Sequence, residues 1–366
     1  MPAEKINIEQ FLELAKHHPV IDVRSPGEYN HAHIPGAHSI PLFTDEERKT
    51  VGTAYKQNSR EAAIKIGLDY FGPKMRKMVE EVESLVFSRE SLARENGLTT
   101  KDSRLVLVYC WRGGMRSGAV SWLLDLYGFK VYTLIGGYKK FRHYVLDTFK
   151  LPFQFNILGG YTGSGKTELL KVLKEKGELV IDLEDIAKHK GSAFGNIGMP
   201  KQPTQELFEN ILSTELRALC HGQNKPGSCW LEDESQRIGL VNLPNDLWKT
   251  MRRSPVYFLD IPFDERLKHI TEEYGALDKT RMTDAIGRIR EKLGGQHAKA
   301  AVQLLEEGNT LESFRILLKY YDKYYLKGLH NRDNLNSLLY TVECKSVIPE
   351  NANQLIRISC LQHPAS

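Results

Sequence analysis

The sequence predicts an α/β protein of two parallel-sheet domains in series, closed by a helical C-terminal region. Three observations predict it. Short β-prone runs alternate with amphipathic stretches from Val20 to Asp260. Two of these runs end in glycine-rich turns that lead straight into a helical period. The 366 residues are 41% hydrophobic and 26% charged, enough to fill two or three cores and unlike a disordered, collagenous or disulfide-built chain.

In the first domain, expected over residues 1–145, Val20–Val23 is a short apolar burst stopped by Ser25-Pro26-Gly27. Leu105–Tyr109 is an unbroken β-prone run, the pattern of a strand buried on both faces. Ser117–Leu124 has helical period and ends at Gly128, and Val131–Ile135 runs into Gly136-Gly137. Residues 44–100 read as a charged, mostly helical insertion, long for a connector and therefore expected to carry function or contacts. The second domain is expected over 152–345. Its strands are Phe155–Leu158, Leu179–Asp182, Cys229–Glu232 and Val256–Asp260, with helix from Thr167 to about Lys176 and from Phe263 to about Leu329. Residues 346–366 read as a tail.

Lys and Arg total 50 against 46 Asp and Glu, a net charge of +4 that is too weak to announce a nucleic-acid partner, although local clusters decide such affinity. No apolar run approaches the ~20 residues of a membrane span. Met1-Pro2-Ala3-Glu4-Lys5 lacks the basic and apolar regions of a signal peptide. Five scattered cysteines (Cys110, Cys220, Cys229, Cys344 and Cys360) form no CxxC, which favours a reducing, cytoplasmic setting. Nothing in the sequence sets the oligomeric state.

Gly160-Tyr161-Thr162-Gly163-Ser164-Gly165-Lys166-Thr167 fits G-x-x-x-x-G-K-[ST], between a strand and a helix. Glycines at Gly160, Gly163 and Gly165 let backbone N–H groups, including that of Ser164, converge on a phosphate at a helix N-terminus. Lys166 would reach the outer phosphate, and the Thr167 hydroxyl is the candidate Mg²⁺ ligand. The motif specifies a phosphate cradle, not ATP. A second acidic element is expected from Glu232, Asp233 and Glu234 after their strand, or from Asp182 and Asp185; acidic strand ends also serve as plain caps. His189 and Arg237 are further candidates to support this site, with turn capping the other reading of His189.

Cys110-Trp111-Arg112-Gly113-Gly114-Met115-Arg116-Ser117 is the second motif: a cysteine ends a buried strand and a tight loop opens a helix. Inward N–H groups, the helix N-terminus and Arg112 and Arg116 would hold a thiolate and lower its pKa. Such a thiolate attacks an electrophilic chalcogen or phosphorus. The other reading is a small buried cysteine, which is the expectation for the remaining four.

Asp22-Val23-Arg24-Ser25-Pro26-Gly27-Glu28-Tyr29 and His33-Ile34-Pro35-Gly36-Ala37 resemble the two signatures of rhodanese domains, whose acid and arginine brace the fold. Asp22, Arg24 and Glu28 are therefore expected to be structural. The usual sulfurtransferase loop has four residues between the Cys and the Arg of Arg-Ser, whereas Cys110-x5-Arg116 has five. That length resembles the related phosphatases and suits a chalcogen carried on a phosphate.

A rhodanese-like domain fused to a P-loop NTPase-like domain is similar to the bacterial tRNA 2-selenouridine synthase family. The likeness extends to Glu47–Gln57, Cys110–Gly114, Gly136–Arg142, His189–Gly195, Gln202–Gln205 and Glu234–Gly239. It implies a transferase that replaces sulfur by selenium at C2 of wobble 2-thiouridine in tRNA. The co-substrates implied are selenophosphate and geranyl diphosphate, with an S-geranyl tRNA intermediate, and no tightly bound cofactor beyond candidate Mg²⁺. Partners would be tRNA and the enzyme that supplies selenophosphate, with no membrane. In this reading Cys110 handles selenium, as a covalent species or as an activator. Trp111, Arg112, Gly113, Gly114, Met115 and Arg116 form its anion loop, and the P-loop holds the prenyl diphosphate.

Candidate tRNA contacts are Lys139, Lys140 and Arg142, interleaved with aromatics, and Arg281, Arg288 and Lys292, one stripe if 281–293 is a single helix. A solvated charged face is the other reading of that stripe. Tyr320, Tyr321, Tyr324 and Tyr325 read as core packing, with base stacking the alternative. An ATP-using P-loop enzyme coupled to a sulfurtransferase or phosphatase, and a phosphate-sensing adaptor with an inert cysteine, are the rival classes.

Overall fold

The computed structural model describes residues 3–95, 104–219, 228–275 and 277–362. Cys220, residues 96–100 of the expected insertion and residues 363–366 of the expected tail lie outside them. Two compact units divide the chain, Met1–Asp147 and Thr148–Ser366.

The first unit runs β1 (Glu4–Ile6), α1 (Ile8–Ala15), β2 (Val20–Asp22), α2 (Pro26–His31), β3 (His38–Ser39), α3 (Asp45–Gln57), α4 (Arg60–Phe71), α5 (Met75–Glu95), β4 (Leu105–Tyr109), α6 (Met115–Leu126), β5 (Lys130–Leu134) and α7 (Gly137–Thr148). Its sheet is parallel, in the order β1-β5-β4-β2-β3. All five residues of β4 are buried, as an unbroken β-branched and aliphatic run requires at the centre of a two-faced sheet. Helices α3 and α4 start on side-chain caps from Thr44 and Ser59. The insertion is less separate than its length suggests: Met78, Val79, Val82 and Val86 of α5 join Val106, Val108 and Leu124 in one core. One apolar face of α5 packs on the sheet, while Tyr55, Ile64, Leu68 and Phe87 of the insertion stay exposed.

The second unit runs β6 (Phe155–Gly160), α8 (Lys166–Glu175), β7 (Leu179–Val180), α9 (Leu183–Ala187), α10 (Gln205–Ala218), β8 (Cys229–Glu232), β9 (Arg237–Ile238), β10 (Val241–Asn242), α11 (Asn245–Arg252) and β11 (Val256–Asp260). It continues with α12 (Phe263–Tyr274), α13 (Lys279–Arg288), α14 (Arg290–Leu293), α15 (Gly295–Glu306), α16 (Thr310–His330), α17 (Leu335–Leu338), β12 (Leu339–Glu343) and α18 (Asn351–Gln362). A parallel sheet of order β12-β11-β6-β8-β7 carries a separate β9–β10 hairpin. Helices α12–α16 bury Leu267, Met282, Ile286, Phe314 and Leu318 together.

Three local expectations change. The expected tail holds a helix, because Ala352 and Leu355 of α18 are fully buried against Leu169 and Leu173 of α8. The short run Leu339–Glu343 is an edge strand beside β11. The single helix over 281–293 breaks at Ile289, which leaves helical geometry (φ −100°, ψ 4°) just after Gly287, a weak helix former. The basic stripe is thereby divided: Arg281 stays exposed, Arg288 donates to the Ala193 carbonyl at 2.7 Å, and Lys292 faces the P-loop cavity.

No helix of the described residues is long and apolar enough to cross a membrane. In both sheets a central strand, β4 or β6, delivers its loop at the carboxyl end, beside the point where the strand order reverses. Open α/β sheets bind ligands there.

Candidate active site

The first centre is built around Cys110, which directly follows β4 and is buried. Its Sγ lies 3.2 Å from the Ser117 hydroxyl and accepts from the Gly114 N–H at 3.4 Å. Burial pushes the thiol up, but the hydrogen bonds from Ser117 and Gly114 and the Arg116 charge outweigh it, so its pKa falls below the ordinary cysteine value. Arg116 is held by Glu28 at 2.7 Å, and Glu28 also binds Arg48 at 2.9 Å. Those cations hold the Glu28 carboxyl, which burial alone would raise, below its usual range. Trp111, Arg112, Gly114 and Met115 are exposed around the thiol, and Gly113 is half-buried.

Two glycines close the loop. Gly113 adopts φ +64°, and a Cβ there would come within 2.5 Å of the Leu134 carbonyl. At Gly137 a Cβ would collide with the Cys110 carbonyl and the Gly113 amide, which is why residue 138 can donate its N–H to the Cys110 carbonyl at 2.8 Å. Beneath the loop lies a buried ion pair. Arg24 binds both oxygens of Asp22, donates to the Ala32 carbonyl at 2.7 Å and stacks 3.9 Å from the Tyr138 ring centroid. The Tyr109 hydroxyl donates to Asp22 at 2.7 Å. Asp22 and Arg24 thus hold the floor of the loop, and Glu28 positions Arg116. Breaking such a buried pair by removing one partner costs about 3–5 kcal/mol.

Ser117 was legible only as the end of the loop motif, yet it makes the shortest contact to the thiol. In Ser117→Ala the thiol pKa should rise. Below that pKa, iodoacetamide should alkylate Cys110 about 2–10-fold more slowly, the range of one lost hydrogen bond of ~0.5–1.5 kcal/mol. An unchanged pH profile of alkylation would remove Ser117 from the account.

The second centre follows β6. Gly160, Gly163 and Gly165 all have positive φ (+147°, +81° and +68°), and a Cβ at Gly163 would stand 2.7 Å from the Arg266 carbonyl. Lys166 lies over the loop, donating to the Gly160 carbonyl at 3.1 Å, and Ser164 donates to the Tyr161 carbonyl at 2.5 Å. Buried Arg266 props the loop through the Thr162 carbonyl at 3.1 Å and pairs with Asp322 at 2.8 Å. The Tyr325 hydroxyl accepts from the Gly160 N–H at 3.1 Å and donates to Asp233 at 2.8 Å. Asp233 is ion-paired with Arg332. Tyr325, Arg332 and Arg266 come from far along the chain, and no local motif marks them.

The carboxylate that contacts Thr167 is Glu184, rather than Asp182 or Asp185. Thr167 donates to Glu184 at 3.1 Å, while Asp182 caps α9 by accepting from the Asp185 N–H at 2.7 Å, and Asp185 pairs with Lys188. Glu232 is buried, with one oxygen on the Leu183 N–H at 3.2 Å and Oε1 without a partner among the described residues. Burial and mutual repulsion push Glu184 and Glu232 up, and Glu234 to about 8, although Lys166 pulls Glu184 and Glu234 back down. A crowded, partly unsatisfied carboxylate set beside a threonine hydroxyl fits a hard divalent cation such as Mg²⁺. Glu168, His269 and Glu273 also bring ligand atoms within 4.8 Å of one another, but Glu273 is already paired with Lys190 at 2.5 Å.

The P-loop opens into a cavity of about 460 Å³. One wall is polar: the loop, Glu184, Lys190 and Glu234. The other is aromatic and aliphatic, with Phe194, Tyr274, Phe314, Leu318, Tyr320 and Tyr321. Of the four tyrosines read as core packing, Tyr320 and Tyr321 pack on the helical core, and all four line the cavity. His189 and Arg237 face a neighbouring cavity. Burial, with the Arg288 charge, lowers the His189 pKa, and its Nδ1 has no partner among the described residues. Arg237 is exposed on the β9–β10 hairpin, donating to the Gly239 carbonyl at 2.9 Å. On α7, Lys139 and Lys140 are exposed and Arg142 half-buried, while Tyr138 and Phe141 turn into the core.

A family model described as a rhodanese-like domain matches residues 7–144, and one described as the tRNA 2-selenouridine synthase AAA domain matches residues 153–349. The chain is 36% identical to a tRNA 2-selenouridine synthase of Hydrogenovibrio crunogenus, over 85% of this chain and 89% of that one. It is 33% identical to the proteins of that name from Bdellovibrio bacteriovorus (86% and 89% covered) and Aeromonas salmonicida (86% and 88%). With both halves matched in order and relatives aligned over nearly their whole length, the chain belongs to the tRNA 2-selenouridine synthase family.

Proposed function

We propose that this chain is a cytoplasmic tRNA-modifying transferase that exchanges sulfur for selenium at C2 of wobble 2-thiouridine, by S-geranylation and then selenation. The observation that carries the reading is the cavity of the second unit: a phosphate cradle continuous with an aromatic and aliphatic wall, which suits a diphosphate joined to an isoprenoid chain. The thiocarbonyl sulfur attacks C1 of geranyl diphosphate, a C–S bond forms, and the C–O bond breaks with its electron pair on pyrophosphate. Loop N–H groups and Lys166 stabilise that departing charge. Thr167, Glu184 and Glu232 would hold Mg²⁺, which when bound supplies further charge neutralisation.

Geranylation solves a leaving-group problem. Thiocarbonyl sulfur leaves C2 poorly, whereas its S-geranyl form departs as a neutral thiol once selenium has added. Selenium comes from selenophosphate through Cys110. Attack of the thiolate on phosphorus forms an S–P bond, breaks the P–Se bond and releases selenide; water then returns the thiol and phosphate. The five-residue loop, with its N–H groups and Arg116, is large enough in kind for a phosphate. Selenophosphate is supplied by a partner enzyme.

The reading is tested by nucleoside mass spectrometry on thiolated tRNA treated with the purified chain. Geranyl diphosphate alone should yield S-geranyl-2-thiouridine with no nucleotide added; a strict requirement for ATP would favour the ATP-using alternative.

A further inference from the structure

A second cavity of about 640 Å³ lies across the Gly191–Ser192 turn from the P-loop cavity, and those two residues line both. The described residues that line it include His189, Lys201, Arg237, Leu240 and Arg288 and no carboxylate. This contrasts with the P-loop cavity, where Glu184, Glu232, Glu234 and Glu273 would repel a nucleic-acid backbone. Lys201 and Arg237 are exposed. Arg288 is anchored by one guanidinium nitrogen to the Ala193 carbonyl. Leu240, at the tip of the β9–β10 hairpin, is 74% exposed, an apolar side chain held in the open beside cations. His189 is only 8% exposed, and its Nδ1 has no partner among the described residues.

We infer that this cavity receives RNA, with Lys201, Arg237 and Arg288 on backbone phosphates and Leu240 and His189 against a splayed base. Cations without carboxylates match phosphodiesters, and an exposed apolar side chain beside an imidazole ring matches the face of an unstacked base. Position adds to chemistry. An enzyme acting on a base takes it out of the stack, and reacting atoms must come within about 3–3.5 Å. The two cavities adjoin at Gly191 and Ser192, so RNA held here lies beside the P-loop cavity. The inference rests on the proposed function and specifies where its tRNA enters.

The test uses the full chain and a fluorescent anticodon stem–loop carrying 2-thiouridine, titrated over a series of KCl concentrations. For Lys201→Ala/Arg237→Ala the Kd should rise about tenfold, and the slope of log K against log salt should fall by about 1–2. Geranyl diphosphate binding, measured by calorimetry without RNA, should be unchanged. The charge-retaining pair Lys201→Arg/Arg237→Lys should restore affinity. Wild-type affinity and slope in the double alanine variant would overturn the assignment. So would an equal loss in a distant control, Lys174→Ala/Lys176→Ala. If the wild-type chain does not bind the stem–loop but binds geranyl diphosphate, the tRNA reading itself fails, and this assignment with it.

Discussion

In Cys110→Ala, 2-selenouridine should vanish from treated tRNA while S-geranyl-2-thiouridine accumulates. The expected loss of selenation is on the order of 10³-fold or more, since the variant removes the proposed nucleophile. The thiol is buried and held below its ordinary pKa by Ser117, Gly114 and Arg116, an arrangement that a merely packed cysteine does not need. Cys229 shows the contrast. It is equally buried, and with burial the dominant influence its thiol is pushed up rather than down. Geranylation should survive in Cys110→Ala because the P-loop belongs to the other compact unit. Unchanged selenation would remove Cys110 from the mechanism, and loss of both products would tie the two reactions to one centre.

Lys166→Ala should have the reverse pattern, with geranylation reduced by roughly 10²–10³-fold, the usual effect of deleting one donor to developing charge. Selenation of tRNA already carrying the geranyl group should proceed. Lys166 also offsets the acidic cluster, pulling Glu184 and Glu234 back toward ionisation. Its removal therefore raises those carboxyls further and takes one cation away from the phosphate cradle. Nucleoside analysis with each substrate separates these outcomes, and full geranylation by the variant would count against the P-loop as donor site.

Both loops were legible because each is contiguous: a strand, a glycine turn and a helix start within a few residues, and the backbone conformation demands glycine at Gly113, Gly160, Gly163 and Gly165. What supports them was not. Strand β7 ends two residues sooner than its apolar run suggests, so Asp182 becomes a helix cap and Glu184 reaches Thr167. Tyr325 and Arg332 brace the first P-loop glycine from about the other end of the unit, a relation that exists only after α16 packs on the sheet. Likewise the basic stripe over 281–293 followed from perfect helical period, and a single departure at Ile289 redirected it. Periodicity reports local faces; it does not report which partner a long side chain finds.

The most direct test supplies purified wild-type chain and 2-thiouridine tRNA with geranyl diphosphate, selenophosphate, or both, and no nucleotide, then quantifies modified nucleosides by mass spectrometry. S-geranyl-2-thiouridine is expected with the first, no selenouridine with the second alone, and 2-selenouridine with both. Efficient selenouridine formation from selenophosphate without the prenyl donor would contradict that order of steps.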